Sequence, residues 1–397
     1  MSRPETTPKR LLILAPLELA RDPRARRAAL AARERGLTVV GLSGRVSGEA
    51  PLSLDGVRVV RVGRAPREGG LPEAGSGERR RGAVALELAG IYRLLRLVHR
   101  TVQFWGTRRE LGRFEIVHAN DIDTLPAAFL LARASGARLV YDAHEIYSEF
   151  DERPPRFYRF AVVALEGFLA RRADAVVTVS EPIAEVLQER LRLSRLPTVV
   201  MNCPEREDRE PAPPRPGRLQ ATYLGWLGGP GRLLEDVLEA MLAAPEVELT
   251  LRLVRADLGS VRARIDALDL ADRVRVVEPV QPDALIDALR DFDVGLVIDR
   301  PVSRNSELVL PNKLFEYLMA GLAVVAPRLP GLTPLVEGER VGLTFEPGQA
   351  SSLAAVLERL ASDRELLAEM QHRARQAALE RYNAPEQARE LVAAWGI

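Results

Sequence analysis

The chain has 397 residues, more than one hydrophobic core of about 250–300 residues organises, so its length predicts two domains. Hydrophobic residues at 47% and charged residues at 28% give a globular balance that excludes a mostly disordered, collagen-like or coiled-coil chain. The formal charge of +1 supplies no global field, so nucleic acid is not expected as a partner. The one cysteine, Cys203, permits neither an internal disulfide nor a C-x-x-C zinc pattern.

From Met1 to Arg10 the chain is polar and leads into the apolar run 11–15 with no signal-peptide pattern. No stretch reaches the eighteen or so apolar residues of a spanning helix, so a cytoplasmic location is expected, with any membrane contact peripheral on the inner face. Strands are predicted at 11–15, 38–41, 57–62, 115–118, 138–142, 175–179 and 198–201, with helices such as 23–35, 125–134 and 181–190 between them. Several runs are apolar throughout, as strands covered on both faces must be. Proline at 204, 211, 213, 214 and 216 makes 204–218 an interdomain linker. A second series follows, with strands at 219–224, 247–254, 274–278, 294–298, 323–326 and 342–345 and helices at 233–243, 283–289, 312–319 and 351–360. Alternating β and α elements read as an α/β chain of two Rossmann-like, doubly wound domains facing a cleft: 1–203, the linker 204–218, then 219–380, with 381–397 as a tail returning toward the first domain.

Ligands in such sheets collect beyond the carboxyl ends of the strands. There the sequence places His118, Asn120, Asp121 and Asp123 after one strand and Asp142, His144 and Glu145 after the next. An imidazole can donate to a sugar hydroxyl or a departing phosphate oxygen. The carboxylates can alternatively clamp a divalent ion, but Asp123 directly precedes a helical run and reads better as its cap. Arg24 follows Asp22-Pro23 at a helix start and is expected to face the cleft.

In the second domain a strand runs into Gly225-Trp226-Leu227-Gly228-Gly229-Pro230-Gly231-Arg232 just before a helix. Gly225, Gly228 and Gly229 let backbone approach phosphates, and Arg232 adds a bidentate cation; the Gly-Lys-Ser/Thr ending of a Walker loop is missing. Pro311-Asn312-Lys313-Leu314-Phe315-Glu316-Tyr317 opens a helix that Gly321 ends. Lys313 and Glu316 share one face near its start, where a cation can hold a diphosphate and a carboxylate can take two ribose hydroxyls. Only two lysines occur, Lys9 and Lys313, which makes the internal one informative.

These residues resemble the GT-B glycosyltransferases of the large retaining family 4, also called group 1. The resemblance spans nearly the whole chain. It is carried by 311–317 with Ala320-Gly321, by His118-Ala119-Asn120-Asp121, by Tyr141-Asp142-Ala143-His144-Glu145, by 173–180 and by Met201-Asn202-Cys203-Pro204. It implies an enzyme of hexosyltransferase type that moves a sugar from a nucleoside diphosphate sugar, UDP favoured and GDP open, to a saccharide, lipid-linked or small-molecule hydroxyl, as in cell-surface polysaccharide or glycolipid synthesis. Glu316 resembles the glutamate that binds the donor ribose, and Arg232 stands where a basic residue contacts the diphosphate. The expected catalytic set is His118, Asn120 and His144; the donor set is Gly225, Gly228, Gly229, Arg232, Asn312, Lys313 and Glu316, with Arg24. Arg232, Lys313 and backbone donors can replace a metal, so neither metal nor cofactor is expected. The family often has a second glutamate eight positions before the one that Glu316 resembles; here that position is Leu308 and the nearest carboxylate is Glu307, whose contact with the sugar stays open. A nucleotide-sugar epimerase and a non-catalytic nucleotide-sugar-binding subunit share this architecture and stay open.

The stretch from Arg79 to Arg113 holds nine arginines against Glu87 and Glu110. Ile91, Leu94, Leu95, Val98, Val102 and Trp105 recur at helical spacing, which predicts one amphipathic helix. Two readings follow: the apolar face packs on the first sheet, or arginines meet anionic lipid head groups.

Overall fold

Runs of leucine, isoleucine and valine too short for helices, each bounded by Gly, Pro or Asp, form the strands of two parallel sheets. The computed structural model describes residues 8–44, 54, 56–63, 83–149, 156–209, 217–225, 234–254 and 257–397, the side chains of 83–86 excepted. The chain divides into two units, Met1–Val200 with Ala388–Ile397, and Met201–Gln387.

The first unit's strands are β1 (Arg10–Ala15), β2 (Thr38–Gly44), β3 (Arg58–Val62), β4 (Ile116–Asn120), β5 (Arg138–Ala143), β6 (Ala175–Thr178) and β7 (Thr198–Val199), in the order β3-β2-β1-β4-β5-β6-β7. Its helices are α1 (Pro23–Glu34), α2 (Ala83–Gly106), α3 (Arg108–Leu111), α4 (Leu125–Ser135), α5 (Arg156–Ala170) and α6 (Glu181–Leu191). Leu11, Leu12, Ile13 and Leu14 of the central β1 are fully buried, each contributing about 1.5–3 kcal/mol by leaving water. Pro23 opens α1 while the Asp22 carboxylate accepts from the N–H groups of Arg24 and Ala25, which fixes where Arg24 enters the helix.

The second unit holds β8 (Leu219–Gly225), β9 (Val247–Leu253), β10 (Val274–Val277), β11 (Val294–Leu296), β12 (Ala323–Pro327) and β13 (Gly342–Phe345), in the order β10-β9-β8-β11-β12-β13. Around this sheet are α7 (Leu234–Ala243), α8 (Leu258–Ala267), α9 (Leu285–Leu289), α10 (Arg304–Leu308), α11 (Asn312–Ala320), α12 (Thr333–Gly338), α13 (Ala350–Ser362) and α14 (Arg364–Glu380). A last helix, α15 (Ala384–Trp395), begins in this unit, and from Ala388 onward it belongs to the first.

The first unit stops at Val200 rather than 203, and the returning segment starts at 388 rather than 381. Residues 204–209 of the expected linker are irregular, as their composition dictates, yet they are held to the second unit. Pro204 O accepts from Ala384 N–H, Arg206 donates to Leu379 O, and Arg375 donates to Glu207 O and Arg209 O. Arginine side chains thus satisfy carbonyls that no strand or helix takes up; 210–216 lie outside the described residues.

Candidate functional site

Each sheet reverses its order once, between β1 and β4 in the first unit and between β8 and β11 in the second. A crevice beyond the strand ends forms at such a reversal. Both groups of candidate side chains collect there.

In the first unit Asn120 ends β4 opposite Asp142 of β5, and its side-chain N–H donates to Leu14 O of β1 at 2.8 Å. The chain then turns at Asp121, whose φ of 66° is left-handed, a conformation that aspartate tolerates better than most residues. Asp142 is 1% exposed and carries a bidentate ion pair: Arg24 Nε and Nη2 donate to its two oxygens at 2.7 Å each, while Arg24 Nη1 donates to Val200 O at 2.6 Å. His118 Nε2 and His144 Nε2 each lie 3.5 Å from Asp142 Oδ2. Trp395 Nε1–H donates to His118 Nδ1 at 3.2 Å, which assigns the His118 proton to Nε2, facing the carboxylate. His144 Nδ1 sits 3.2 Å from Asp121 Oδ1.

The electrostatics follow from this packing. Burial alone would raise the Asp142 carboxyl, but Arg24 and the two imidazoles override it and hold it well below the usual carboxylate range. Burial would lower His144, and Asp121 with Asp142 reverses that, so its imidazolium persists above the ordinary histidine range. Asp121 is raised by burial, which His144 and Tyr147 only partly offset. Burial also pushes Glu145 up to about 7, aided by the Asp121 charge. Behind them Tyr141 donates to Glu166 at 2.7 Å, and burial raises Glu166 to about 7 as well.

Three expectations are corrected here. Arg24 does not face a crevice: it is 6% exposed, with its guanidinium given over to Asp142 and the Val200 carbonyl. His118 and Asn120, expected at the end of a strand and open to a ligand, are fully buried, because β4 runs on to 120 and both side chains fall inside a sheet covered on both faces. Asp123 does not cap α4. Its carboxylate pairs with Arg100 at 2.6 Å, and Thr124 holds the N-cap position without a side-chain bond to the helix. Solvent reaches His144 and Asp121, at 18% and 16% side-chain exposure, and half-buried Glu145 beside them. Asp121 and Glu145 are the residues that reading the sequence undervalued; the Asp at a strand end was visible, but its left-handed turn was not.

In the second unit β8 ends at Gly225, with φ 133°. A Cβ there would stand 3.1 Å from Tyr223 Oη and 3.4 Å from Lys313 Nζ, so glycine keeps this approach open. Lys313, one residue into α11, lies over the Tyr223 ring at 4.5 Å and 3.7 Å from Asp299, just past β11. Tyr317 anchors the helix: its hydroxyl accepts from Leu224 N–H at 3.0 Å and donates to Leu296 O at 3.1 Å, tying α11 to β8 and β11. Gly295 makes room for that ring, since a Cβ would fall 2.2 Å from it. Asn312 is exposed at the helix start and Glu316 is half-buried one turn along. The structure thus brings Gly225, Asn312, Lys313 and Glu316 to one strand-end region. Gly228, Gly229 and Arg232 lie outside the described residues. Glu307 is half-buried on α10, whose start is fixed by the Ser303–Ser306 capping box. Among the described residues, no three His, Cys, Asp or Glu side chains are grouped to hold a metal ion.

Residues 22–204 match the family described as glycosyl transferase 4-like domain, and residues 238–393 match the family described as glycosyl transferase-like. Sucrose-phosphate synthase from Thermosynechococcus elongatus superposes with a TM-score of 0.72 at 16% identity, covering 98% of each chain. A glycosyltransferase from Rickettsia africae gives 0.68 at 13% identity, again over 98% of each chain. HepE of Anabaena, solved in complex with UDP, gives 0.66 at 15% identity over 98% of this chain and 99% of its own. At such identities these likenesses establish the fold, two parallel-stranded Rossmann-like sheets. No curated protein matches the chain in sequence.

Proposed function

The chain belongs to the group 1 glycosyltransferases of the GT-B fold, and from that premise we propose that its second unit holds a nucleoside diphosphate sugar, UDP-linked in preference to GDP-linked, whose glycosyl group passes with retention to an acceptor hydroxyl. The observation that carries the reading is Lys313 on the first turn of α11, beside the side-chain-free Gly225 at the end of β8. A cation and the positive end of a helix converge there, the arrangement a diphosphate needs both when bound and when leaving. Glu316, three residues on and on the same face, accepts hydrogen bonds from the ribose hydroxyls. HepE of Anabaena, with UDP and with UDP-glucose, supports the choice of nucleotide.

In the first unit the groups at the strand ends serve the acceptor. Asp121 and Glu145 take hydrogen bonds from sugar hydroxyls, and His144 fixes the orientation of Asp121. Arg24 keeps the Asp142 carboxylate ionised, and Asp121 with Asp142 in turn raises His144, while Trp395 orients His118 beside the same carboxylate. The test is calorimetric titration with UDP. Losing a charge-assisted contact costs about 1.5–3 kcal/mol, so Lys313→Ala and Glu316→Ala should each weaken binding roughly ten- to a hundredfold while melting like the parent. Parental titrations for both would dismiss this donor site. Conversion of the sugar donor with no acceptor present would mark an epimerase instead.

A further inference from the structure

At the amino ends of β5, β6 and β7, the opposite edge of the sheet from His144 and Asp121, the first unit has a recess of about 480 Å³, within the size range of small-molecule pockets. Strand β5 spans six residues, so about 17 Å separates Arg138 in the recess from Ala143, next to His144. The space exists because much of its wall is short: Ala170, Ala173, Ala175 and Ala393 line it.

Four arginines, Arg138, Arg171, Arg192 and Arg195, share this recess with two acids, Asp174 and Glu390. Backbone carbonyls fix two of the guanidiniums. Arg138 Nε donates to Ala394 O at 3.1 Å, and Arg171 Nη1 donates to Leu191 O at 2.7 Å. A Cβ on Gly396 would stand 3.3 Å from Arg138 Nε, and one on Gly167 would stand 3.0 Å from Arg171 Nη1, so a missing side chain leaves room beside each head group. One bond apiece leaves the rest of each five-donor fork available in a set orientation. The side chains of Arg192 and Arg195 are exposed and make no hydrogen bond or ion pair with any described residue. Arg192 also ends α6 in the left-handed conformation, φ 54°, where glycine or asparagine is the usual residue. The acids do not neutralise this group: no carboxylate of the described residues lies within 4.0 Å of any of the four, and Asp174 instead accepts the Leu139 N–H at 2.8 Å. Arginine forks match phosphate oxygens in pairs, and four of them exceed what one phosphate group can engage.

We propose that this recess binds a small anion bearing two or more phosphate groups, held by Arg138, Arg171, Arg192 and Arg195. Ala393 and Ala394 of α15 form one wall, so the bound anion also braces the helix that carries Trp395. The site is independent of the donor site, which belongs to the other unit. The test titrates tripolyphosphate into the full chain, read by calorimetry and by the melting temperature, which a bound anion raises. Binding that salt weakens is expected, with inorganic phosphate at least about tenfold weaker. Arg192→Asn with Arg195→Gln should lower tripolyphosphate affinity roughly tenfold or more, while its UDP titration and its melting temperature without anion stay parental. Lys313→Ala, at the donor site, should leave tripolyphosphate binding in place. Neither heat nor a raised melting temperature in the parent, equal affinity for phosphate and tripolyphosphate, or binding that survives the double arginine variant and disappears in Lys313→Ala, would overturn the proposal.

Discussion

Arg24→Met removes the guanidinium that neutralises a carboxylate 1% exposed to solvent. Two bonds of 2.7 Å to Asp142 and one of 2.6 Å to Val200 O vanish together. Breaking a buried pair by deleting one partner costs about 3–5 kcal/mol, because the surviving charge keeps its desolvation penalty. His118 and His144 still stand 3.5 Å from Asp142, which places the loss toward the lower end, about 3 kcal/mol. For a unit of this size that corresponds to a fall in Tm of roughly 6–12 °C. Urea denaturation followed by tryptophan fluorescence is the assay, with Trp395 buried in the network itself. The pH dependence provides a second readout of opposite sign in the two proteins. In the parent, the depressed folded pKa of Asp142 contributes stability above the ordinary carboxylate pKa of about 3.9 that is lost as pH falls through the lower folded value. In Arg24→Met the unpaired carboxylate takes a proton more readily, so moderate acidification recovers stability. Adding Asp142→Asn to Arg24→Met should recover part of the loss at neutral pH. A cost below about 1 kcal/mol, or strict additivity in the double variant, would refute the claim that this pair organises the strand ends.

Glu166, with a folded pKa of about 7 against an ordinary 4.5, binds a proton in the folded state across the interval where the unfolded chain has lost it. Stability therefore falls as pH rises from about 4.5 to 7, by up to about 3 kcal/mol, and Glu166→Gln, which still accepts from Tyr141, should flatten that slope in denaturation at pH 5 and 7.5. Parallel slopes would count against it. Glycosyl transfer is expected to continue in excess chelator, since Asp123 is engaged by Arg100 and Asp121 by His144 while Lys313 supplies positive charge at the donor. Activity lost to EDTA and restored by magnesium or manganese would return Asp121 and Asp123 to consideration as ligands.

The strands were legible because parallel strands covered on both faces must be apolar along their whole length, as 11–15 and 323–326 are. Lys313 and Glu316 were legible because a helix start, a cation and a carboxylate lie within five residues. The Arg24–Asp142–His118–Trp395 network was not, since its members come from α1, β5, β4 and α15, and no local pattern announces a pairing made by topology. β4 runs two residues past the apolar stretch that marks it in the sequence, and those two residues place Asn120 inside the strand. On α2 the periodicity predicted the helix but left open which side packs, and the apolar stripe proves to be the exposed one. Leucine, valine and isoleucine recur on more than one face of that helix, and a hydrophobic period gives direction only when a single face is apolar.

Trp395 belongs to the first unit although nearly two hundred residues of the second precede it. During synthesis all strands of the first unit's sheet emerge while the indole that fixes the His118 tautomer is still untranslated. The second unit must leave the ribosome before the first can be finished. Domains usually fold as units in the order they are made; here the last-made helix sets the final state of the earliest strands. A chain cut at 387 keeps every strand of both sheets and loses the hydrogen bond that sets the proton on His118.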